Sequence, residues 1–591
     1  MKPATDRSMG ALLRRFWSFA RVHRKWLFTG LAMIPLVAAT TTVRPLLLKR
    51  AIDVEIPNGD IPGLRLVAAV FLATVIVGFL VQAVEVYAIQ RAGHFVISDL
   101  RSTVFRHVLH LPSRYFDRHA LGSLLTRTTS DVEALGETLS FGVFMIVTDV
   151  VMMLAILVAM FALSPSLTLA TLVVAPLLFV LLRYFGGALR RLQLQVRTAQ
   201  AAQNGHLAEQ LGGISVVQLF GRQQRAHARY RELGESYISA TKQANIYDAL
   251  LFSIMDGVSA FAVALLLYFA APSVLRDDGV VTLGLLFAFV DYLQRIFVPI
   301  KEFSGKLATI QRAAASLERI YGLLDEPVEA AAADPVDAVS SWRGGLAVEN
   351  LSFRYKEDGP DVLRDVSFSV APGEVVAIVG RTGSGKSSLG RVLTRFYDGY
   401  RGSITLDVDG EPRELATIPP KLLRRHLLMV QQDVFLFNES VAYNVALGDP
   451  TLLEDPVRLR DALELVQAQS LLGERGGLAY EVGERGSNLS AGEAQLLAFA
   501  RVAVRKPAML ILDEATACVD STTERRVQAA IERLLEGRSV IVIAHRLSTV
   551  RRADKILVFQ QGRIAEQGTH AELMARNGIY AELYRMGFEE T

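Results

Sequence analysis

The chain has 591 residues, about half of them apolar, with positive mean hydropathy. That is too long for one ordinary domain of about 100–200 residues and too apolar for an ordinary soluble enzyme. A formal net charge of only +3 gives no global field for nucleic acid. A single cysteine, Cys518, excludes an intramolecular disulfide and a Cys/His zinc cluster, and its place just after an apolar strand predicts a packed, inert thiol.

The first segment carries Arg14, Arg15, Arg21, Arg24 and Lys25 ahead of an apolar stretch too long for a signal sequence. That stretch is therefore expected to stay in the protein. Apolar runs near the ~20 residues needed to cross a bilayer follow at Trp26–Leu48, Leu64–Ile89, Phe141–Leu163, Leu167–Phe185, Ile246–Ala270 and Val280–Ile300. Arginines crowd the second-to-third connection (Arg91, Arg101, Arg106, Arg114, Arg118, Arg127) and the fourth-to-fifth (Arg190, Arg191, Arg197, Arg222, Arg225, Arg229). Ser164-Pro165-Ser166 reads as a tight turn, and in Pro272–Gly279 Arg276 is offset by Asp277 and Asp278. The bias places the N-terminus, both long connections and the C-terminal half on the cytoplasmic side. Helical periodicity continues through both connections, with polar turn-and-helix segments expected near Ser113–Thr129 and Gly221–Tyr230.

Residues 1–325 thus read as a membrane domain, residues 326–343 as a linker and residues 344–591 as a separate α/β domain. The linker includes the Ala-, Asp-, Val- and Pro-rich Glu326–Ser341. In the last domain the apolar run Val375–Val379 leads into Gly380-Arg-Thr382-Gly383-Ser384-Gly385-Lys386-Ser387 and then a helical segment. This strand–loop–helix context is the one a phosphate-binding loop requires. Backbone N–H groups of such a loop curl around phosphates, Lys386 neutralises them and Ser387 holds Mg²⁺. A second apolar strand, Ala508–Leu512, ends in Asp513-Glu514. Asp513 reads as a Mg²⁺ partner, and Glu514 is placed to polarise an attacking water.

Further motifs stand in order around these: Tyr355 ahead of the loop, Gln432 in Val430-Gln-Gln-Asp433, Glu481–Gly486, Asn488-Leu-Ser490-Ala491-Gly492-Glu493, Asp520 and His545. With six preceding spans, this series resembles bacterial ABC half-exporters over nearly the whole chain. The resemblance implies a six-helix membrane domain fused to an α/β P-loop ATPase that hydrolyses ATP with Mg²⁺ to drive transport. It places Tyr355 on adenine, Ser388 with the phosphate loop, Gln432 at Mg²⁺ and the relay to the membrane, Asp520 in the D-loop and His545 at the γ-phosphate. Ser490 and Gly492 would serve the nucleotide of a second half-transporter, so one copy holds no complete site. On this reading, closure of two ATPase domains on ATP turns the helix bundle outward through the cytoplasmic turns.

Two positions depart from the family's Leu-Ser-Gly-Gly-Gln: Ala491 adds a methyl, and Glu493 adds a carboxylate near an anion. With Lys386, Asp513, Glu514 and His545 intact, the pattern resembles the hydrolytically complete half of heterodimeric exporters. A heterodimer is therefore expected, with a homodimer as the alternative. Among intramembrane charges, Asp291 and Arg295 stand four apart and are expected to pair. Asp149 is a further candidate, while Glu85 and Asp256, without an obvious local partner, are expected to line a polar cavity. The resulting expectation is efflux of small amphipathic molecules, cations if that cavity is negative, across a bacterial cytoplasmic (inner) membrane. The alternative is a lipid or lipid-linked glycan flippase. An importer, a soluble ABC ATPase and an ATP-gated channel fit less well. Importers usually keep the membrane subunit on a separate chain, six spans rule against a soluble enzyme, and a channel needs an added regulatory domain or a broken Glu514.

Overall fold

A computed structural model describes residues 9–138, 144–276, 281–328, 342–408, 410–468, 471, 473, 476–513, 521–544 and 547–587. It divides into two compact units. The first takes in residues up to Leu109 and Leu121–Glu326, and the second takes in His110–Ala120 and Pro327–Thr591. Residues 110–120, a piece of the second-to-third connection, group with the second unit.

The first unit is all-helical. A short amphipathic α1 (Met9–Ala20) precedes α2 (Arg24–Arg50) and α3 (Ile61–Val108). After α4 (Ser113–Arg118, in the second unit) come α5 (Leu121–Thr128), α6 (Ser130–Glu137), α7 (Phe144–Leu163), α8 (Pro165–Leu172), α9 (Ala175–Gly212), α10 (Ile214–Leu219), α11 (Gln223–Arg276) and α12 (Leu283–Leu324). Six helical stretches among the described residues are long and apolar enough to span a bilayer. In α3 and α7 only 11% of the most apolar stretch is buried, so most of that surface faces outward, as lipid solvation requires. Phe79, Leu154 and Phe179 are among the outward-facing side chains. The inner faces of α7, α8, α9, α11 and α12 close around Ile156, Met160, Met255, Leu266, Phe289 and Tyr292. The unbroken run of α3 to 108, of α9 to 212 and of α11 from 223 bears out the helical extensions predicted through the two long connections. In the fourth-to-fifth connection a turn at Gly221 followed by the opening of α11 at residues 223–230 matches the expected turn-and-helix segment, and a further short helix, Ile214–Leu219, precedes it. Gly221, at φ 60°, makes the reversal that lets the chain re-enter a helix.

Past α2 the chain forms a π-helical turn, Ala51–Glu55. Asp53 accepts from the Gly284 amide at 2.8 Å and from the Thr282 hydroxyl, which itself caps α12.

The second unit has two sheets. One is antiparallel, in the order β2 (Leu363–Val370), β1 (Leu346–Phe353), β4 (Arg401–Val408), β5 (Glu411–Glu414). The other runs β10 (Arg563–Gly568), β9 (Lys555–Gln560), β3 (Val375–Gly380), β8 (Ser539–Ile543), β7 (Met509–Asp513), β6 (Leu427–Val430), parallel except for β10. Strict alternation splits the side chains of this sheet between two cores. Val376, Ile378, Ile511, Ile541 and Leu557 pack towards the antiparallel sheet. Ala377, Leu510, Leu512, Val540 and Val558 pack against the helices on the other face. A sheet buried on both sides is the setting for a ligand crevice at its carboxyl edge.

Candidate nucleotide site

The phosphate loop leaves the carboxyl end of β3 and enters α13 (Lys386–Leu393). Gly380 is required by packing, since a Cβ there would lie 2.3 Å from the Phe559 carbonyl oxygen. Gly385, the residue before α13, has φ 104°, which an L side chain rarely adopts.

Lys386 is 6% exposed, and its Nζ donates to the carbonyls of Gly380 (2.6 Å) and Arg381 (3.1 Å). Burial pushes its pKa below the ordinary lysine value, an effect that the nearby Asp513 charge opposes. Ser384 is buried too, and its hydroxyl finds no hydrogen-bond partner among the described residues. A buried cation, an orphaned hydroxyl and a helix N-terminus at one loop form a set that polyphosphate satisfies. Ser387, in the first turn of α13, Asp513, ending β7, and Gln432, just beyond β6, supply a hydroxyl, a carboxylate and an amide oxygen. Such hard donors suit Mg²⁺.

Tyr355 follows β1, and its hydroxyl lies 2.9 Å from the Ser388 hydroxyl on α13. Its ring meets Phe353 and Tyr397 edge-on, each at 5.0 Å between centroids. Thr382 and Gly383 are exposed at the loop's crest. The site residues Glu514, Asp520 and His545 lie outside the described residues, as does Cys518.

Ser490 caps the helix Ala491–Ala503, and Gly492 is buried in its first turn. No hydrogen bond joins Ser490 to the phosphate loop of its own chain among the described residues. The Ser490 amide and hydroxyl both donate to Glu493 Oε2, at 2.9 and 3.1 Å, while the Glu493 amide donates back to the Ser490 hydroxyl at 3.2 Å. Glu493 thus closes a capping box, a role the Ser-x-x-Glu spacing carries in plain sight.

Further along the same helix, Arg501 donates to the carbonyls of Asn444 and Phe435, both at 2.7 Å, and Arg505 to those of Val445 and Ala446. Burial and the Arg505 charge push the Arg501 pKa down to about 10, leaving it charged at neutral pH.

Two residues of the second unit escaped the sequence reading. Tyr397, 5% exposed, donates its hydroxyl to Asp117 on α4, and Arg114 of the same helix donates to the Asp398 carbonyl at 3.2 Å. Some 280 positions separate Tyr397 from Asp117, so no local pattern signals the bond.

The comparisons with known proteins rest on this frame. The ABC transporter transmembrane region matches residues 27–300, and the ABC transporter ATPase model matches residues 363–517. A lipid A-core flippase of Chromobacterium violaceum is 33% identical over 98% of both chains. The chain belongs to the ABC transporter family. A probable multidrug resistance ABC transporter ATP-binding/permease protein of Bacillus subtilis is 33% identical over 89% of this chain and 77% of its own length. The solved structure of a bacterial Atm1-family ABC exporter with ATP bound superposes with a TM-score of 0.80 at 29% identity, covering 96% of this chain and all of that one. This ABC transporter is therefore a multi-pass membrane protein of the fused exporter type that couples ATP hydrolysis to transport, and its half-transporter architecture implies a dimer.

The membrane charges of this transporter need one correction. Asp291 pairs with Arg295 at 2.6 Å, as expected from their spacing. Asp149 pairs with Lys306 at 2.5 Å, and Lys306 also reaches Glu302 at 2.9 Å. Asp256, expected to stand alone, forms an ion pair with Lys301 on α12, 45 positions away. It therefore adds no net negative charge to a cavity. Glu85 is buried and accepts from the Thr148 hydroxyl at 2.9 Å.

Proposed function

We propose that this chain exports amphipathic small molecules from the cytoplasm or inner leaflet across a bacterial cytoplasmic membrane, with its N-terminus and ATPase domain cytoplasmic. The observation that carries the ATP chemistry is the buried Lys386 beside the orphaned Ser384 hydroxyl at the end of β3. The relative named as a multidrug resistance transporter supports the cargo class. The relatives named as lipid A-core flippases, with coverage of 98% of this chain, favour a second reading, a flippase for an amphipathic lipid or lipid-linked glycan.

In this reading Tyr355 stacks on adenine. The loop from Gly380 through Thr382, Gly383, Ser384 and Gly385 to Lys386, with Ser387 and Ser388, grips phosphate. Ser387, Gln432 and Asp513 would hold Mg²⁺, which when bound supplies charge neutralisation at the terminal phosphates. Glu514 polarises the attacking water, His545 holds the γ-phosphate and Asp520 lies between the two ATPase domains. Ser490 and Gly492 face the nucleotide of the partner half. The imperfect signature at Ala491 and Glu493 supports a heterodimer, in which this chain supplies the complete hydrolytic side of one site. The bond between Tyr397 and Asp117 supports α4 as the piece of the second-to-third connection that the second unit holds.

The test is ATP-dependent accumulation of an amphipathic dye in inside-out vesicles, set beside lipid translocation in proteoliposomes. Glu514→Gln should abolish whichever activity is present. Dye uptake without lipid movement supports export, and the reverse supports the flippase. Robust ATP turnover by the lone chain, abolished by the same substitution, would falsify the heterodimer.

A further inference from the structure

Where α1, α2 and α3 meet, one cation is held in an unusual way. The Arg91 guanidinium lies 4.7 Å from the centre of the Trp26 ring and 5.6 Å from those of Tyr87 and Phe95, and it donates to the Tyr87 hydroxyl. Trp26 and Tyr87 meet edge-on at 6.0 Å, and His23 stacks on Phe95 at 5.2 Å. Beneath them Ala20, Leu27, Ala92 and Val96 form a packed base. The rings hold the guanidinium by cation–π attraction while Arg91 itself stays exposed. Of its five N–H donors, one is used by Tyr87, and no carboxylate among the described residues pairs with it.

Elsewhere in the first unit Arg15, Lys49, Arg50, Arg295, Lys301, Lys306 and Arg319 each have a carboxylate partner. The nearest acid on the same face of α3, Asp99, is bonded to His23 at 2.8 Å. Arg24 and Lys25 stand exposed in the first turn of α2, next to Trp26.

Depth along the bilayer normal narrows the ligand. The apolar run of α3 ends at Ile89, two positions before Arg91, and Trp26 opens the first span. Indole and phenol rings favour that polar–apolar boundary, the level at which lipid phosphates lie. A guanidinium held flat on a ring directs its remaining N–H edge outward and can meet two phosphate oxygens at once. Arg24 and Lys25 add positive charge, which favours a headgroup with net negative charge over a zwitterionic one.

We propose that Arg91, Trp26 and Tyr87, flanked by Arg24 and Lys25, bind the headgroup of an anionic phospholipid of the surrounding bilayer. The leaflet follows from the orientation proposed above; the site does not. It is formed by exposed and half-buried side chains of this chain and does not depend on the cargo proposed above.

Trp26 is the built-in reporter. The full chain carrying Trp17→Phe is reconstituted in phosphatidylcholine bilayers, and its fluorescence is quenched with brominated phosphatidylglycerol or brominated phosphatidylcholine. Trp342, 3% exposed, stays out of contact with lipid. Phosphatidylglycerol should associate about fivefold more tightly than phosphatidylcholine. Arg91→Gln should bring the ratio below about two, with the remainder owed to Arg24 and Lys25, and Arg91→Lys should keep most of it. Equal quenching by the two lipids with Arg91 present overturns the proposal, and that readout needs no folded variant. An Arg91→Gln chain that retains the full preference overturns it as well.

Discussion

The hydroxyl of Tyr397 donates a hydrogen bond to the carboxylate of Asp117, tying α4 to the phosphate-binding half of the second unit. The Tyr397 ring packs against Tyr355, whose own hydroxyl meets Ser388 on α13. Burial and the Asp117 charge raise the Tyr397 pKa well above the ordinary phenol value, so the donor keeps its proton at every physiological pH. Tyr397→Phe preserves the ring packing and deletes one bond to a charged acceptor, worth about 1.5–3 kcal/mol. ATP hydrolysis should stay within about twofold of native, while cargo moved per ATP should fall about tenfold. Parallel phosphate-release and vesicle-transport assays check this.

Lys386 sets a pH limit on nucleotide binding. Its pKa lies below the ordinary 10.5 in the ligand-free fold, and phosphate favours the charged form. Affinity is therefore complete below the lowered pKa and is lost as pH rises through it. Above the lowered pKa, and up to the higher pKa that the lysine takes beside phosphate, nucleotide binding takes up a proton. Calorimetry in two buffers of different ionisation enthalpy should detect that uptake. A proton count of zero across the whole alkaline range would contradict it.

Glu493 competes with phosphate for Ser490. Its carboxylate accepts from both the amide and the hydroxyl of Ser490, the groups proposed to face the partner's nucleotide. Glu493→Gln keeps a capping side chain while removing the charge, which is worth about 1 kcal/mol in hydrogen-bond strength. Nucleotide at the site that Ser490 faces should bind about fivefold more tightly, measured by titrating the assembled transporter with a fluorescent ATP analogue.

Arg501 holds structure rather than substrate. Replacing it with Met leaves the carbonyls of Phe435 and Asn444 without their charged donor, at a cost of about 2–4 kcal/mol. The thermal unfolding midpoint of the ATPase domain should drop, with Arg501→Lys falling between the two. An unchanged midpoint would show that main-chain and water contacts replace the guanidinium.

Much of this could be read before any coordinates. Apolar runs near 20 residues located the six spans because the bilayer leaves the backbone few options, and Gly380 to Ser387 announced the phosphate loop because its geometry demands those residue types. What escaped was set by distance along the chain. Asp256 looked solitary since Lys301 lies 45 positions on, and the Tyr397–Asp117 bond joins residues from separate regions of the sequence. The short helix Ile214–Leu219 escaped as well, because its mostly apolar residues give none of the polar turn signals that marked Gly221–Tyr230. Glu493 was legible but weighed wrongly: its effect on a distant anion was considered ahead of its reach to its own helix end.

The arginine ties of the helix Ala491–Ala503 have a mechanical result. Phe435, gripped by Arg501, lies three residues beyond Gln432, and Ser490 starts the helix that does the gripping. If Gln432 relays motion as the family resemblance implies, the Arg501 bond to Phe435 carries part of it to the helix that Ser490 caps. The handle and the latch are mounted on the same panel, and they swing together.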